Sequence, residues 1–226
     1  MSRICVPLLG LLLWAATPAA AQEPPVAQDV PLIQSADAAR MFGPDSAAYT
    51  LTEFIDFACT TCRSFQQVRA DSLKAFVEAN DLHFTLRVYP IPRLMRGFQA
   101  AEAVFCAAAF TGQEGLLGMV DQLFQYHDVW RLELDPTPIF ERFAENVGAP
   151  MPSYRSCVAR DAMAPLIIND VRIAREAEIT GTPSFVFNRL GEFNGNVKFY
   201  GNQPMSDFIE SLRVVKEGPA SEPPEN

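Results

Sequence analysis

Histidine is nearly absent from this chain: His83 and His127 stand isolated in 226 residues. No second Cys or His pair therefore lies at the spacing a structural zinc site needs. Basic charge is also scarce, with 18 Lys and Arg against 27 Asp and Glu, a net −9. That balance disfavours nucleic acid or an anionic lipid surface as the main partner. No internal repeat and no heptad run occurs, which sets aside solenoids and coiled coils. Beyond the N-terminus no apolar run is expected to span a membrane.

What is present begins with a leader. Arg3 supplies a positive start, residues 6–16 are apolar, and Ala19-Ala20-Ala21 is a small-residue cleavage site. The apolar run is shorter than the roughly 20 residues of a membrane span and contains Pro7, so cleavage with a mature chain from Gln22 is expected rather than an anchor. Cys5 precedes the run and leaves with it. Removing 21 of 226 residues leaves 205, one domain of ordinary size or one carrying an insertion. The leader holds one of the 18 basic residues and none of the 27 acidic ones, so the mature charge is −10. Export makes disulfides permissible, and the four cysteines left of five divide into Cys59/Cys62 and Cys106/Cys157.

Cys59-Thr60-Thr61-Cys62 follows a strand-like run, residues 49–57, and opens a helix-like run, residues 63–80. Two cysteines three apart at a helix start can close a small disulfide. The first thiol sits where unpaired N–H groups and the positive end of the macrodipole favour a thiolate, the nucleophilic form. The competing readings are half a zinc site or an inert staple. In residues 49–57, Tyr49, Leu51, Ile55 and Phe57 alternate onto one face and Glu53 falls among them, a carboxyl on an apolar face.

Residues 22–35 are rich in Pro, Ala and Gln and residues 217–226 repeat that character, so both are expected to be mobile. Phe65, Val68, Leu73, Phe76 and Val77 follow helical spacing, and residues 82–89 then alternate as a strand stopped by Pro90 and Pro92. Strand, helix, strand favours a parallel pair with a right-handed crossover. Helices are expected at 97–110, 114–126, from Thr137 to before Gly148, around 153–160 with Cys157, and at 165–178 with Ile167, Val171 and Ala174 on one side. Residues 184–188 and 197–200 read as a hairpin with Gly191 and Gly195 in its loop, and 204–216 as a closing helix packing Phe208, Ile209, Leu212 and Val215.

The stretches TEFIDFACTTCRSF at 52–65 and EITGTPSFVFN at 178–188, with the helical block between them, resemble the DsbA-like thiol-disulfide oxidoreductases of bacterial secretory compartments. The resemblance spans about residues 36–215. It implies an α/β architecture, a thioredoxin fold with an inserted helical domain: first part 36–92, insert 93–165, second part 166–216. It implies that Pro183 is cis and lies beside Cys59, leaving Thr182 backbone to pair with an extended substrate segment. Glu53, six residues before Cys59, matches the family's buried acid beneath the active disulfide and would exchange a proton with Cys62. Cys59 would form the mixed disulfide with substrate and Cys62 would resolve it. Relatives often carry cysteines near Cys106 and Cys157, read here as a structural disulfide against two buried free thiols.

Two departures matter. The dipeptide is Thr-Thr where strongly oxidising relatives carry a histidine, and no histidine is available locally, which leaves redox strength open. Thr182 before Pro183 occurs among both oxidases and isomerases of the wider family. The expectation is a periplasmic, monomeric enzyme without organic cofactor or metal, exchanging disulfides with cysteines of folding proteins. A membrane redox partner would reoxidise it. An isomerase, a dedicated reductase, and a metallochaperone or chaperone with a silent disulfide are the alternatives; residues 22–44 are too few for the dimerisation domain that isomerases of this compartment commonly carry.

Overall fold

The computed structural model describes residues 25–94, 96–191 and 197–217. The leader at 1–21, the tail at 218–226 and Gly195 lie outside the described residues. Five strands form one sheet: β1 (Met41–Phe42), β2 (Tyr49–Ile55), β3 (His83–Val88), β4 (Ser184–Arg189) and β5 (Val197–Tyr200), in the order β1-β3-β2-β4-β5. β2 and β3 run parallel across α2 (Thr60–Ala79), while β1–β3, β2–β4 and β4–β5 are antiparallel. The strand-helix-strand unit and the hairpin read from periodicity are both present.

β2 is the central strand, buried on both faces. Leu51 packs with Phe65, Leu73 and Val77 of α2, with Phe185 and Phe187 of β4, and with Phe208 and Leu212 of α8 (Met205–Glu217). Phe54, facing the other way, packs with Ile173 and Ala174 of α7 (Ala164–Glu176). Val68 and Ile209, placed on apolar stripes by spacing alone, are instead exposed, as isolated surface hydrophobes commonly are.

Between β3 and α7 lie α3 (Gly97–Gln125), α4 (His127–Trp130), α5 (Thr137–Asn146) and α6 (Met151–Ala159). The two helices expected at 97–110 and 114–126 are halves of α3, separated at Gly112, whose φ of 68° and ψ of −156° interrupt the helix. One further expectation needs correction: α3 is long and apolar enough to cross a membrane by length and composition. Its first half, including Ala100, Ala101, Val104, Phe105 and Ala108, is nevertheless core, covered by α1 (Pro25–Ala39).

The second correction is α1 itself, which occupies most of the segment 22–35 expected to be mobile. It packs against the alanine-rich α3 through few large side chains: Ala36 and Ala39 allow close approach, and Leu32 and Ile33 add contact. Arg160 holds Asp29 at 2.8 Å. Just past the helix, fully buried Arg40 binds Asp37 and Asp170. Asp170, also fully buried, takes Arg87 at 2.7 Å and the Val88 N–H at 3.0 Å. The side of α7 read as Ile167, Val171 and Ala174 thus carries an ion-pair junction among its apolar residues.

Candidate active site

β2 delivers the chain into a tight turn at residues 56–58, in which the Cys59 N–H donates to the Asp56 carbonyl at 3.0 Å. Cys59 is the N-cap of α2 with extended backbone (φ −84°, ψ 124°) and no side-chain cap, so its sulfur faces free first-turn N–H groups. Both cysteines are free thiols here, Cys59 8% exposed and Cys62 fully buried. The Cys59 pKa falls from 9.0 to about 5, chiefly because the Cys62 thiol hydrogen-bonds to it; Thr182 and the backbone of Cys62 and Thr61 add to this, against the effect of burial. Burial, followed by the charge on Cys59, pushes Cys62 well above the ordinary thiol range. The two sulfurs are thus pushed in opposite directions, Cys59 toward the thiolate and Cys62 toward the protonated thiol.

Across the cleft the Thr182–Pro183 peptide is cis. The Cys59 thiol donates to the Thr182 carbonyl at 3.4 Å, while the Thr182 hydroxyl is buried without a partner among the described residues, and it is this side chain that helps lower the Cys59 pKa. The cleft, about 510 Å³, is lined by Cys59, Thr60, Thr61, Ile91, Thr182 and Tyr200, with Arg93 and Arg131 on its walls.

Glu53 pairs with Leu86 on one side and Phe185 on the other, in the middle of the sheet. Phe185 packs on Phe65, one turn after Cys62, so Glu53 lies on the face that α2 covers. It is 1% exposed, its Oε1 has no partner among the described residues, and burial raises its pKa from 4.5 to about 8.

Two residues near the cysteines were not picked out from sequence. Asp56 accepts the Ala58 N–H through Oδ1 and the Ile91 N–H through Oδ2, each at 2.8 Å. Burial raises its pKa to about 6, the two N–H groups oppose this, and negative charge on Cys59 adds to it. A Cβ on Gly97 would lie 2.5 Å from Oδ1, so the first residue of α3 is glycine where the carboxylate sits. His127 arrives from the helical insert, fully buried between Phe124 and Trp130 and beside the Ala58 backbone. Neither ring nitrogen has a partner within hydrogen-bonding distance among the described residues, although Nδ1 lies 3.6 Å from Asp128; burial followed by Arg131 lowers its pKa, and Asp128 and the Ala58 backbone oppose this. Asp56 lies inside the motif region and was open to suspicion as a second acid. Nothing local announces His127, whose position depends on the insert folding back.

Residues 35–196 match the family described as Thioredoxin. The chain belongs to the thioredoxin family. The fold is shared with alpha-DsbA1 of Wolbachia pipientis (20% identity, TM-score 0.66, covering 78% of this chain and 89% of that one). It is shared too with oxidised BdbD of Bacillus subtilis (16% identity, TM-score 0.63, 79% and 93%) and DsbA2 of Pseudomonas aeruginosa (19% identity, TM-score 0.59, 79% and 94%). A curated relative, Na(+)/H(+) antiporter NhaA 3 of Salinispora tropica, is 29% identical over 178 residues, 78% of this chain but 26% of that protein. The chain thus spans about a quarter of the length of the relative it matches.

Within this thioredoxin fold, the helical insert carries the other cysteine pair. Cys106 of α3 and Cys157 of α6 are bonded, their Cα atoms 5.8 Å apart across 51 residues of sequence. Glu102, one turn before Cys106, accepts the Met163 N–H at 2.9 Å and is pushed to about 7, mainly by burial. Neither of these cysteines lines the Cys59 cleft.

Proposed function

We propose that this protein is an exported, periplasmic thiol-disulfide oxidoreductase that introduces disulfides into folding proteins. The observation that carries the reading is the division of labour in the CxxC pair, with Cys59 at the cleft and stable as a thiolate while Cys62 is buried and protonated.

In the forward direction the protein starts as the Cys59–Cys62 disulfide. A substrate thiolate attacks the Cys59 sulfur; the new S–S bond forms as the Cys59–Cys62 bond breaks, and Cys62 leaves as a thiolate that takes a proton. Glu53 is the proposed proton donor, supported by its burial on the face under α2 and a pKa near 8, which keeps it protonated at neutral pH. The second substrate thiolate attacks the substrate sulfur of the mixed disulfide and releases Cys59 as a thiolate. Two substrate thiols lose two electrons and two protons, and the CxxC pair becomes the dithiol. Thr182, on the cleft wall against Cys59, is the proposed backbone partner for an extended substrate segment next to Pro183.

The oxidase direction is supported by the stability of the thiolate that reduction releases. Cys59, lowered to about pKa 5, is the group released from the mixed disulfide in the second step, and its stability as a thiolate in the reduced form favours reduction of the CxxC disulfide, which makes that disulfide oxidising. The hydrogen bond from the Cys62 thiol and the contribution of the Thr182 side chain support this without a histidine between the cysteines. Return to the disulfide needs an electron acceptor, for which a membrane redox protein is the proposed partner, and cleavage after residue 21 is the proposed route of export. Equilibration of Cys59/Cys62 with glutathione is the test. A potential above roughly −200 mV is expected for an oxidant, and one below roughly −250 mV leaves a reductase instead.

A further inference from the structure

The chain is acidic, net −9, yet no Asp or Glu lines the cleft that holds Cys59. Its two charged wall residues are both arginines, Arg93 from the loop after β3 and Arg131 at the C-cap of α4. Neighbouring Arg63 is held by Asp128 at 2.6 Å. Arg93 and Arg131 have no carboxylate partner among the described residues, Arg93 is exposed, and the Nε of Arg131 is buried without an acceptor. A guanidinium partly removed from water and left unpaired is costly, and a bidentate carboxylate is the group that best fits its donors.

We propose that this cleft selects polypeptide substrates whose reactive cysteine is flanked by Asp or Glu. The proposal rests on the thiol-disulfide reading of the site and names its substrate class. Acidic neighbours raise the pKa of a substrate thiol and so lower the fraction present as attacking thiolate. Two arginines lining the same cleft as Cys59 offset that charge, so the cysteines that are slowest in free solution gain most here. Elsewhere the acidic surface steers lysine-rich segments away from productive contact with nothing in the cleft to receive them, and the cleft itself repels them.

The test uses the full mature protein in its oxidised form and single-turnover kinetics, so that no partner is needed. Three otherwise identical dithiol peptides carry Glu, Gln or Lys on either side of the attacking cysteine. The second-order rate constants are expected in the order Glu, Gln, Lys, with Glu above Lys by about fivefold or more, the scale of exposed charge pairs. The ratio falls below about twofold when NaCl rises from about 20 to about 500 mM. It falls likewise in Arg93→Gln/Arg131→Gln, and in part in Arg93→Gln alone, whose exposed side chain is removed without disturbing the fold. Arg172→Gln, the same single charge change as Arg93→Gln at a residue that does not line the cleft, keeps the ratio. Equal rates for the three peptides, or a preference that survives the double variant, overturn the acid-selective cleft and leave the oxidoreductase standing. No oxidation of any peptide overturns the oxidoreductase reading and this proposal with it.

Discussion

A carboxyl group in a protein interior is costly unless it is paired or protonated, and Glu53 is unpaired at Oε1 with a pKa near 8. Its retention on the central strand is what a proton exchange with Cys62 would require. Glu53→Gln keeps the shape and removes the exchangeable proton. Stopped-flow oxidation of a dithiol peptide should slow by about tenfold or more, while the denaturation midpoint holds or rises. Unchanged rates across pH would leave only the cysteines and Thr182 in the mechanism. At this scale the sequence was informative where a residue's role depends on near neighbours. The CxxC spacing placed two sulfurs at one helix start, and alternation put Glu53 on a buried face. Asp56 and His127 escaped because what defines them comes from far along the chain: the Ile91 N–H and Gly97 for one, the returning insert for the other.

Between elements, the described structure relies on two cross-links of different kinds. Asp170 of α7 joins Arg40, just past α1, to Arg87 of β3. Asp170→Asn would leave Arg40 fully buried with Asp37 as its remaining carboxylate, and loss of one partner from such a junction costs about 3–5 kcal/mol. Urea unfolding should show that loss without a change in the Cys59/Cys62 potential. The Cys106–Cys157 bond closes a 51-residue separation between α3 and α6, and Cys106→Ser/Cys157→Ser should cost about 2–4 kcal/mol while peptide oxidation continues. A folded double variant without turnover would instead tie this bond to the chemistry. The strands β2 to β5, their parallel crossover and the two halves of α3 were legible because each leaves a periodic trace, whereas the two-residue β1 is too short to leave one. α1 left only a weak one, with Leu32 and Ile33 as its large contacts amid Pro, Ala and Gln, and an internal ion-pair junction reads in sequence as ordinary surface charge.

For the whole molecule, the thiolate at Cys59 links redox state to stability. In the reduced protein the folded pKa of Cys59 is about 5 against an ordinary 9.0. The native state therefore binds fewer protons than the unfolded chain between these values, and reduced-state stability rises with pH across that window. The contribution is complete above pH 9 and is lost as pH falls through 5. In the oxidised protein neither cysteine titrates and the contribution is absent. The buried carboxyls act in the opposite sense: Glu53, Asp56 and Glu102, with pKa raised to about 8, 6 and 7, favour the folded state at low pH and weaken it as pH rises through those values. Where they titrate alike in both redox forms they cancel from the difference between the two. Unfolding of the reduced and oxidised proteins compared at pH 4, 6 and 8 should show the difference moving in favour of the reduced form as pH rises, by at most about 1.4 kcal/mol per pH unit for one proton. A pH-independent difference would mean that Cys59 is no better a thiolate in the fold than in the unfolded chain, and the leaving-group argument for an oxidase would lose its basis.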